Sequence, residues 1–361
     1  MNETRPSIAR ASPAPSKRRA TAALSRTGAI LAGSAAALAA AAVWNVYRAR
    51  KVEREHPPAG RFVTVNGVRL HFIEKGEGPP VVLIHGNVVT SEDFVLSGVL
   101  DRVAARGHRV IAFDRPGYGY SDRPHGTLWT AEAQADLLQR AFERLGIEHP
   151  VVVGHSWGTL VALALALNHP ETVSGLVLLS GYYYRTLRAD VPLVSITATP
   201  VLGDLLRYTV APLFGAAILP LNIKVMFSPR PVPDRFSHEF PYGMPVRPAQ
   251  IRAETQDAAA MVPAVMMMRG RFAELRMPVI IIAGAKDRVV DVGRHAKRLH
   301  GEIPQSDLRL VPDAGHMVHY AVPDQVAEAI EEAAAGGRQP AAPHWLPGNA
   351  AGPDRRVPAA E

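Results

Sequence analysis

The chain of 361 residues contains no cysteine. This absence excludes disulfide bonds, a cysteine nucleophile and thiolate-bound metal sites. It does not exclude export from the cytoplasm, because many exported proteins lack disulfides. Hydrophobic residues make up 47% of the chain, which is enough to bury a sizeable core in one large domain or two small ones.

The main body of the chain lacks net charge. Residues 1–56 carry ten of the 40 basic residues and three of the 33 acidic ones, so residues 57–361 contain 30 of each. The excess of seven positive charges therefore belongs to the N-terminal segment alone. A neutral body has no electrostatic footprint for a nucleic acid, and we predict no nucleic-acid partner.

Residues 27–47 lack charged side chains altogether. As a helix, these 21 residues would be roughly 31 Å long, close to the hydrocarbon thickness of a bilayer. Trp44 and Tyr47 stand at the end of the stretch, where interfacial aromatic residues are expected. We predict a single-span membrane signal anchor. A signal peptide cleaved near residues 40–42 and an alanine-rich soluble helix are the alternatives.

The segments that flank this helix are basic or rich in proline and alanine. Six basic residues precede the apolar stretch and four follow it closely, which favours an N-terminus inside and a main body outside the cytoplasm. We predict disorder for the basic tail 1–26 and for residues 336–361.

From about residue 60, short apolar runs alternate with helical patterns. Runs typical of buried parallel strands begin near residues 80, 109, 151, 175, 278 and 308. Residues 61–75 form a predicted hairpin with Asn66-Gly67 as its turn. This alternation predicts an α/β core over residues 60–181 and 277–335, in which a mostly parallel sheet carries helices on both faces.

Residues 182–276 interrupt the alternation, because they contain no clear strand. We predict that this interval is a helical cap inserted between two core strands. Its methionines, including the run at 266–268, either line an adaptable apolar pocket or only pack the cap onto the core.

The sequence GHSWG at 154–158 follows an apolar strand and precedes an apolar helix. This is the context of a nucleophile elbow, in which a serine stands on a tight turn between two small residues. Gly154 and Gly158 meet that steric demand, and the start of the following helix favours developing negative charge. We therefore predict that Ser156 is a nucleophile.

A serine nucleophile needs a base and an acid that orients the base. Asp287 and His316 each follow a predicted strand, so both should lie at the same sheet edge as Ser156. We predict that His316 takes the serine proton and that Asp287 holds the other ring nitrogen. His319, His155 and Asp313 are weaker candidates for these roles.

An oxyanion formed by attack on a carbonyl needs two hydrogen-bond donors. The backbone N–H of Trp157, directly after the serine, is the first predicted donor. The second is the N–H of Asn87, in the loop after the strand at 80–84, with Val88 as the alternative. We expect His85 and Asp114 to have structural roles.

Five motifs occur in the order LIHGN, FDRPGYGYSDRP, GHSWG, AGAKDR and DAGHMVHY. With them, residues 60–335 resemble the α/β-hydrolase superfamily in its cap-bearing branch, with a serine nucleophile as in esterases and haloperoxidase-like members. The resemblance implies an eight-stranded sheet, a helical cap after the sixth strand, and no metal or organic cofactor. Related sequences with GHDWG resemble haloalkane dehalogenases or epoxide hydrolases, whose nucleophile is a carboxylate. Ser156 disfavours those two activities here.

These observations predict a serine hydrolase that cleaves a small or medium-sized apolar ester, lactone or related acyl substrate through an acyl-enzyme intermediate. An acyltransferase or a cofactor-free perhydrolase on the same triad is an alternative. A non-catalytic protein that binds ligands in the same pocket is another.

Overall fold

The computed structural model describes residues 17–186, 197, 199, 201–336 and 344–345. One mixed sheet organises this part of the chain, with strands in the order β1-β2-β4-β3-β5-β6-β7-β8-β9. The strands are β1 Arg61–Val65, β2 Val68–Lys75, β3 Pro80–Ile84, β4 Arg109–Phe113, β5 Val151–His155, β6 Gly175–Leu179, β7 Val279–Gly284, β8 Ser306–Val311 and β9 His344–Trp345.

The sheet is antiparallel at one edge and parallel elsewhere. Strands β1 and β2 form the predicted hairpin, in which Asn66 and Gly67 both have positive φ, as a two-residue turn of this type requires. From β4 to β9 every neighbouring pair is parallel. The predicted eight-stranded, mostly parallel sheet is therefore confirmed.

The short ninth strand lies within the segment predicted to be a disordered tail. His344–Trp345 pairs with Arg309 and Leu310 of β8, so these two residues extend the sheet instead. The remainder of 337–361 lies outside the described residues.

Helices cover both faces of the sheet, because alternate strand residues point to opposite sides. Val82 and Ile84 of β3 pack into one apolar cluster, together with α4 (Ala131–Leu145) and α5 (Gly158–Asn168). Val81 and Leu83 pack into the other. The second cluster includes residues of α3 (Val99–Ala105) and α12 (Pro323–Ala334).

Three short helices complete the core. Helix α2 (Glu92–Leu96) precedes α3, and α10 (Arg298–Glu302) and α11 (Val318–Ala321) flank β8 in the chain.

The interval between β6 and β7 is helical where it is described. Its helices are α6 Leu202–Tyr208, α7 Ala211–Phe227, α8 Asp234–Glu239 and α9 Pro248–Met268. No strand occurs in the described residues of 182–276. We refer to these four helices and their connections as the cap.

Helix α1 spans Lys17–Glu55 and is longer than the sequence predicted at both ends. Residues 17–26, which were expected to be a disordered tail, are helical, and residues 1–16 lie outside the described residues. Between Gly28 and Glu55 the helix is long and apolar enough to cross a membrane, and little of it is buried by the rest of the protein.

A buried carboxylate fastens the cap to the core. The carboxylate of Asp257, on α9, accepts hydrogen bonds from Arg115 at 2.5 Å and Arg123 at 2.9 Å. Tyr118 Oη and Gln134 Nε2 donate to it at 3.0 and 3.3 Å. All four donor residues come from the core, so this cluster sets the position of α9 over the sheet.

Replacing Asp257 by alanine would leave two buried guanidinium groups without their counter-charge. We expect Asp257→Ala to lower the free energy of unfolding by about 3–5 kcal/mol, the usual cost of breaking a buried ion pair. Urea unfolding in detergent measures this. The control is Asp101→Ala, which removes an exposed pair with Lys75 and should cost about 1 kcal/mol or less. Equal losses in the two variants would contradict the anchoring role of Asp257.

Candidate active site

The nucleophile elbow lies between β5 and α5. Ser156 follows the last residue of β5 and has a φ of 53°, in the left-handed region that costs energy for a residue with a side chain. Its N–H donates to the Leu179 carbonyl of β6 at 2.9 Å. This strained turn holds Ser156 at the carboxyl edge of the sheet.

The two glycines of GHSWG are required by close backbone approach. A Cβ on Gly154 would lie 2.7 Å from the Thr159 Cα, and one on Gly158 would lie 2.3 Å from the Ile84 carbonyl oxygen. Both distances are shorter than any tolerable contact. Only glycine fits at these two positions, as the sequence motif predicted on steric grounds.

The structure brings the three predicted side chains into one hydrogen-bonded chain. His316 Nε2 lies 2.8 Å from Ser156 Oγ. His316 Nδ1 lies 2.9 Å from Asp287 Oδ2. A nucleophile, a base and an acid within hydrogen-bond reach in this order form the arrangement that activates a hydroxyl.

Backbone N–H groups of the residues that follow Asp287 orient its side chain. The loop after β7 turns so that the N–H groups of Val289 and Val290 donate to Asp287 Oδ1, at 2.7 and 2.9 Å. These bonds occupy one carboxylate oxygen and leave Oδ2 for His316. The carboxylate is almost completely buried, which strengthens its interaction with the imidazole.

The loop that carries His316 is held from the cap and from a polar cluster behind it. The N–H of His316 donates to the Met226 carbonyl of α7 at 3.0 Å. Its carbonyl accepts from His155 Nε2 at 3.2 Å. Burial lowers the pKa of His155 well below its ordinary value, so this ring is a neutral donor at physiological pH. His155 was a weaker candidate for the base or the acid. In the structure it instead supports the loop that carries His316.

Asp93, His155 and His319 form the polar cluster behind the site. Their possible ligand atoms lie within 4.8 Å of one another, the one group of this kind in the described part of the chain. Asp93 Oδ2 and His319 Nε2 are 2.9 Å apart, the length of a hydrogen bond. Asp93 and His319 therefore form a hydrogen-bonded pair, and the ring of His155 packs against His319 with the centroids 4.5 Å apart. This pairing takes His319 away from the serine.

Asp313, the remaining weaker candidate for the triad, has a partner outside the site, and so do His85 and Asp114, which were expected to be structural. Asp313 is exposed and pairs with Lys286 at 2.8 Å. His85 accepts from the Arg115 N–H at 2.9 Å, and burial lowers its pKa to about 4. Asp114 binds His71, at 2.8 Å, and the Ser91 N–H, at 2.8 Å. Their contacts are those of structural residues.

The two predicted oxyanion donors lie beside Ser156. Asn87 and Trp157 both line the cavity that contains the serine hydroxyl and His316. In the described residues, neither backbone N–H donates to another backbone or side-chain acceptor. The Asn87 side chain is occupied, because its Oδ1 accepts from Arg115 at 2.7 Å and from Tyr118 at 2.8 Å.

Val88, the alternative donor, has a different environment. Its φ of 72° is unusual for a β-branched residue. Its carbonyl accepts from Gln250 Nε2 of α9 at 3.2 Å. The cap thus holds the backbone of Val88 through this carbonyl.

The cavity at the serine has a volume of about 790 Å³ and lies between the core and the cap. Aliphatic, methionine and aromatic side chains form most of its wall. The cap residues in that wall include Val210, Phe214, Ile218, Leu219, Val225, Met226, Ile251 and Met261. Met266 and Met267 are instead exposed, and Met268 packs in the core, so the methionine run does not line the pocket.

Glu254 is the residue of this site that sequence reasoning missed. Its carboxyl lines the cavity and accepts from Gln250 Nε2 at 3.3 Å. Burial raises its pKa to about 8, against the opposing effects of Gln250 and Arg115. At neutral pH the wall therefore carries a neutral carboxyl group. No pattern in the cap sequence distinguishes Glu254 from a solvated helix residue, so only the packing of α9 identifies it.

The raised pKa of Glu254 links folding to pH. The carboxyl takes up a proton on folding between its ordinary pKa of 4.5 and about 8. Its contribution is present in full below pH 4.5 and is lost as the pH rises through 8. The free energy of unfolding of Glu254→Gln should therefore fall less between pH 5 and pH 9 than that of the wild type. Urea unfolding across this range tests it, with the exposed Glu328→Gln as control. A Glu254→Gln profile parallel to wild type would refute the linkage.

The chain is similar to several known proteins. Haloalkane dehalogenase 2 of Mycobacterium bovis is 26% identical over 287 residues, which cover 77% of this chain and 95% of the relative. An uncharacterised protein of the same organism is 30% identical over 302 residues, covering 78% and 83% of the two chains. The esterase of Exiguobacterium antarcticum has the same fold, with a TM-score of 0.63, 22% identity, and coverage of 76% and 99%.

A family model described as the alpha/beta hydrolase family matches residues 81–329. The match extends from β3 to α12 and includes the elbow, the cap and the loops of Asp287 and His316. With the sheet order and these relatives, it shows that the chain belongs to the alpha/beta hydrolase family.

Proposed function

We propose that the protein is a serine hydrolase that cleaves apolar esters or related acyl compounds through an acyl-enzyme intermediate. The observation that supports this most is the hydrogen-bonded chain from Ser156 through His316 to Asp287, which opens into an apolar cavity. In this proposal Ser156 is the nucleophile, His316 is the general base and acid, and Asp287 orients and stabilises the imidazolium.

The reaction proceeds in two halves. Ser156 Oγ attacks the carbonyl carbon of the substrate while His316 Nε2 takes the hydroxyl proton. His316 then donates that proton to the departing alkoxide, and the acyl group remains on Ser156. Water, deprotonated by His316, attacks the acyl carbon and releases the acid, so that Ser156 recovers its proton.

Backbone N–H groups stabilise the tetrahedral intermediates. The N–H of Trp157 stands at the start of α5, where the helix dipole adds positive potential. The N–H of Asn87 approaches from the loop after β3. Each such donor is worth roughly 3 kcal/mol of transition-state stabilisation. Arg115 and Tyr118 donate hydrogen bonds to the Asn87 side chain and so hold this residue in place. In this proposal they are therefore positioning residues for the second donor.

The serine separates this chain from the dehalogenase it is similar to. Dehalogenation through an ester intermediate needs a carboxylate nucleophile, and a hydroxyl at position 156 does not supply one. A serine with an adjacent base instead supports acyl transfer from an ester to water. Ser156 is therefore the residue on which the proposal of esters, lactones or similar acyl substrates rests.

The cavity favours a substrate with a sizeable apolar part. A volume of about 790 Å³ is in the upper range for pockets that enclose small ligands. Its wall is mostly apolar, so binding comes from burial of hydrocarbon, and Glu254 offers one neutral polar contact. We infer an acyl or alcohol chain of medium length rather than acetate.

We further propose that α1 anchors the protein in a membrane. Residues 27–47 lack charge, Trp44 and Tyr47 stand at their end, and the helix surface there is largely exposed. The basic residues before the apolar stretch favour a cytoplasmic N-terminus, with the catalytic domain on the other side of the membrane.

Labelling with a fluorophosphonate tests the nucleophile directly. We expect the wild type to be labelled and Ser156→Ala to be unlabelled, because the probe needs the activated hydroxyl. Ser237→Ala removes an exposed serine of α8 and should be labelled as strongly as the wild type. Failure to label the wild type, or undiminished labelling of Ser156→Ala, would refute the proposal.

A graded series of p-nitrophenyl esters tests the cavity. Met261→Trp adds volume inside the wall, so it should reduce kcat/KM for the octanoate relative to the acetate by about tenfold or more, since one methylene group in an apolar pocket is already worth about tenfold. Met266→Trp, at an exposed position of the same helix, should leave the ratio unchanged. The same ratio in both variants would show that the acyl chain does not occupy this cavity.

A further inference from the structure

The cap is attached to the N-terminal helix at a defined point. The Asn45 side chain donates to the backbone carbonyls of Tyr208 and Thr209, at 3.0 and 2.6 Å. About two turns further along α1, Glu53 accepts a hydrogen bond from Arg247 of the cap at 2.7 Å. Asn45 is buried by this contact. These bonds fix the end of α6 beside α1.

The position of Asn45 along α1 determines the depth of the cap relative to the apolar stretch. Asn45 lies within the uncharged residues 27–47, two positions before Tyr47. Trp44 and Tyr47 beside it are 53% and 50% exposed. If this stretch lies in a bilayer, with its aromatic residues at the interface, the end of α6 lies at the interface as well.

The cap presents apolar side chains to the outside on the two helices that adjoin this point. Those of α6 and α7, with the residue between them, are Leu202, Leu205, Tyr208, Val210, Leu213, Phe214, Leu221 and Val225. We call these residues the cap face. On the core, the exposed large hydrophobic residues among those described are Phe62 and Leu128. An apolar surface of this extent on one side of a protein indicates an interaction site.

The cavity of Ser156 and the cap face share three residues. Val210, Phe214 and Val225 line the cavity and are also exposed at the surface. An apolar compound that leaves a bilayer at the cap face would reach the serine without crossing water. This arrangement connects the surface to the chemistry of the site.

Charge next to the apolar stretch also suits a lipid surface. Arg48, Arg50, Lys51 and Arg54 follow the uncharged residues, and all four are exposed. Basic residues directly beyond an apolar helix are attracted to anionic lipid headgroups. The cap face and these cations therefore adjoin the same end of the apolar stretch.

We propose that the cap face docks on the lipid bilayer that α1 spans and that substrate enters the cavity from this bilayer. The proposal rests on the membrane anchor and the hydrolase activity described under the proposed function. It adds a substrate class, namely acyl lipids or other apolar esters dissolved in a membrane. It also assigns the exposed residues of α6 and α7 a binding partner.

Because the chain has no cysteine, single cysteines can be introduced into the full-length protein and labelled with an environment-sensitive fluorophore. The protein is reconstituted into vesicles of phosphatidylcholine and phosphatidylglycerol. We propose labels at Leu205→Cys and Leu221→Cys on the cap face, at Ile30→Cys in the apolar stretch, and at Glu328→Cys on the exposed side of α12 as control.

We expect the emission of the labels at 30, 205 and 221 to shift to the blue in vesicles, and these labels to be several-fold less quenched by aqueous iodide than the label at 328. If 30 is protected but 205 and 221 are quenched like 328, docking of the cap is refuted while the anchor stands. If 30 is also unprotected, both the anchor and the docking are refuted. Fluorophosphonate labelling of the same samples reports on the hydrolase proposal separately.

Activity provides a second measurement. Leu213 and Leu221 belong to the cap face but do not line the cavity. The double variant Leu213→Glu/Leu221→Glu should lose about tenfold or more of its activity on a long-chain ester embedded in vesicles, because a charged side chain is disfavoured at an apolar membrane contact. Its activity on a water-soluble short-chain ester should equal that of the wild type. Equal loss on both substrates, or none on either, would contradict entry from the membrane.

Discussion

The buried ion pair between Arg115 and Asp257 joins the three parts of the site. Arg115 binds the Asp257 carboxylate at 2.5 Å, the Gly86 carbonyl at 3.1 Å and Asn87 Oδ1 at 2.7 Å. Its guanidinium also lies over the ring of Trp157, 4.5 Å from the centroid. One cation thus contacts the cap, the loop after β3 and the residue that follows Ser156, so a change in any of them affects the others.

The cap has more than one role in this architecture. It completes the cavity, and its helices also hold groups of the core in place. Met226 of α7 binds the backbone of His316, and Gln250 of α9 binds Val88. Because the cap contacts both the loop of His316 and the loop of Asn87 and Val88, displacement of the cap would disturb the proposed catalytic groups as well as access to the cavity. Anchoring α1 to the cap through Asn45 extends this chain of contacts to the proposed membrane surface.

Much of the core could be predicted from local sequence, for reasons that are local. The apolar run before Ser156 and the apolar helix after it indicate a strand and a buried helix, and Gly154 and Gly158 permit the tight turn between them. Asp287 and His316 follow their strands directly, so a parallel sheet brings them to one edge with Ser156. The strand at His344–Trp345 was not predicted, because two residues carry no periodicity and pair only where β8 leaves an edge free.

Local sequence was enough to predict the core strands and the positions of Ser156, Asp287 and His316 at one sheet edge, since each depends on residues adjacent to a strand end. The cap contacts could not be predicted in this way, because they join residues far apart in the chain whose side chains have no characteristic spacing. Examples of such contacts are the ion pair of Arg115 with Asp257, the burial of the Glu254 carboxyl and the hydrogen bond from Asn45 to the Tyr208 carbonyl. Burial sets the charge of such groups, and burial follows from packing rather than from the sequence around each residue.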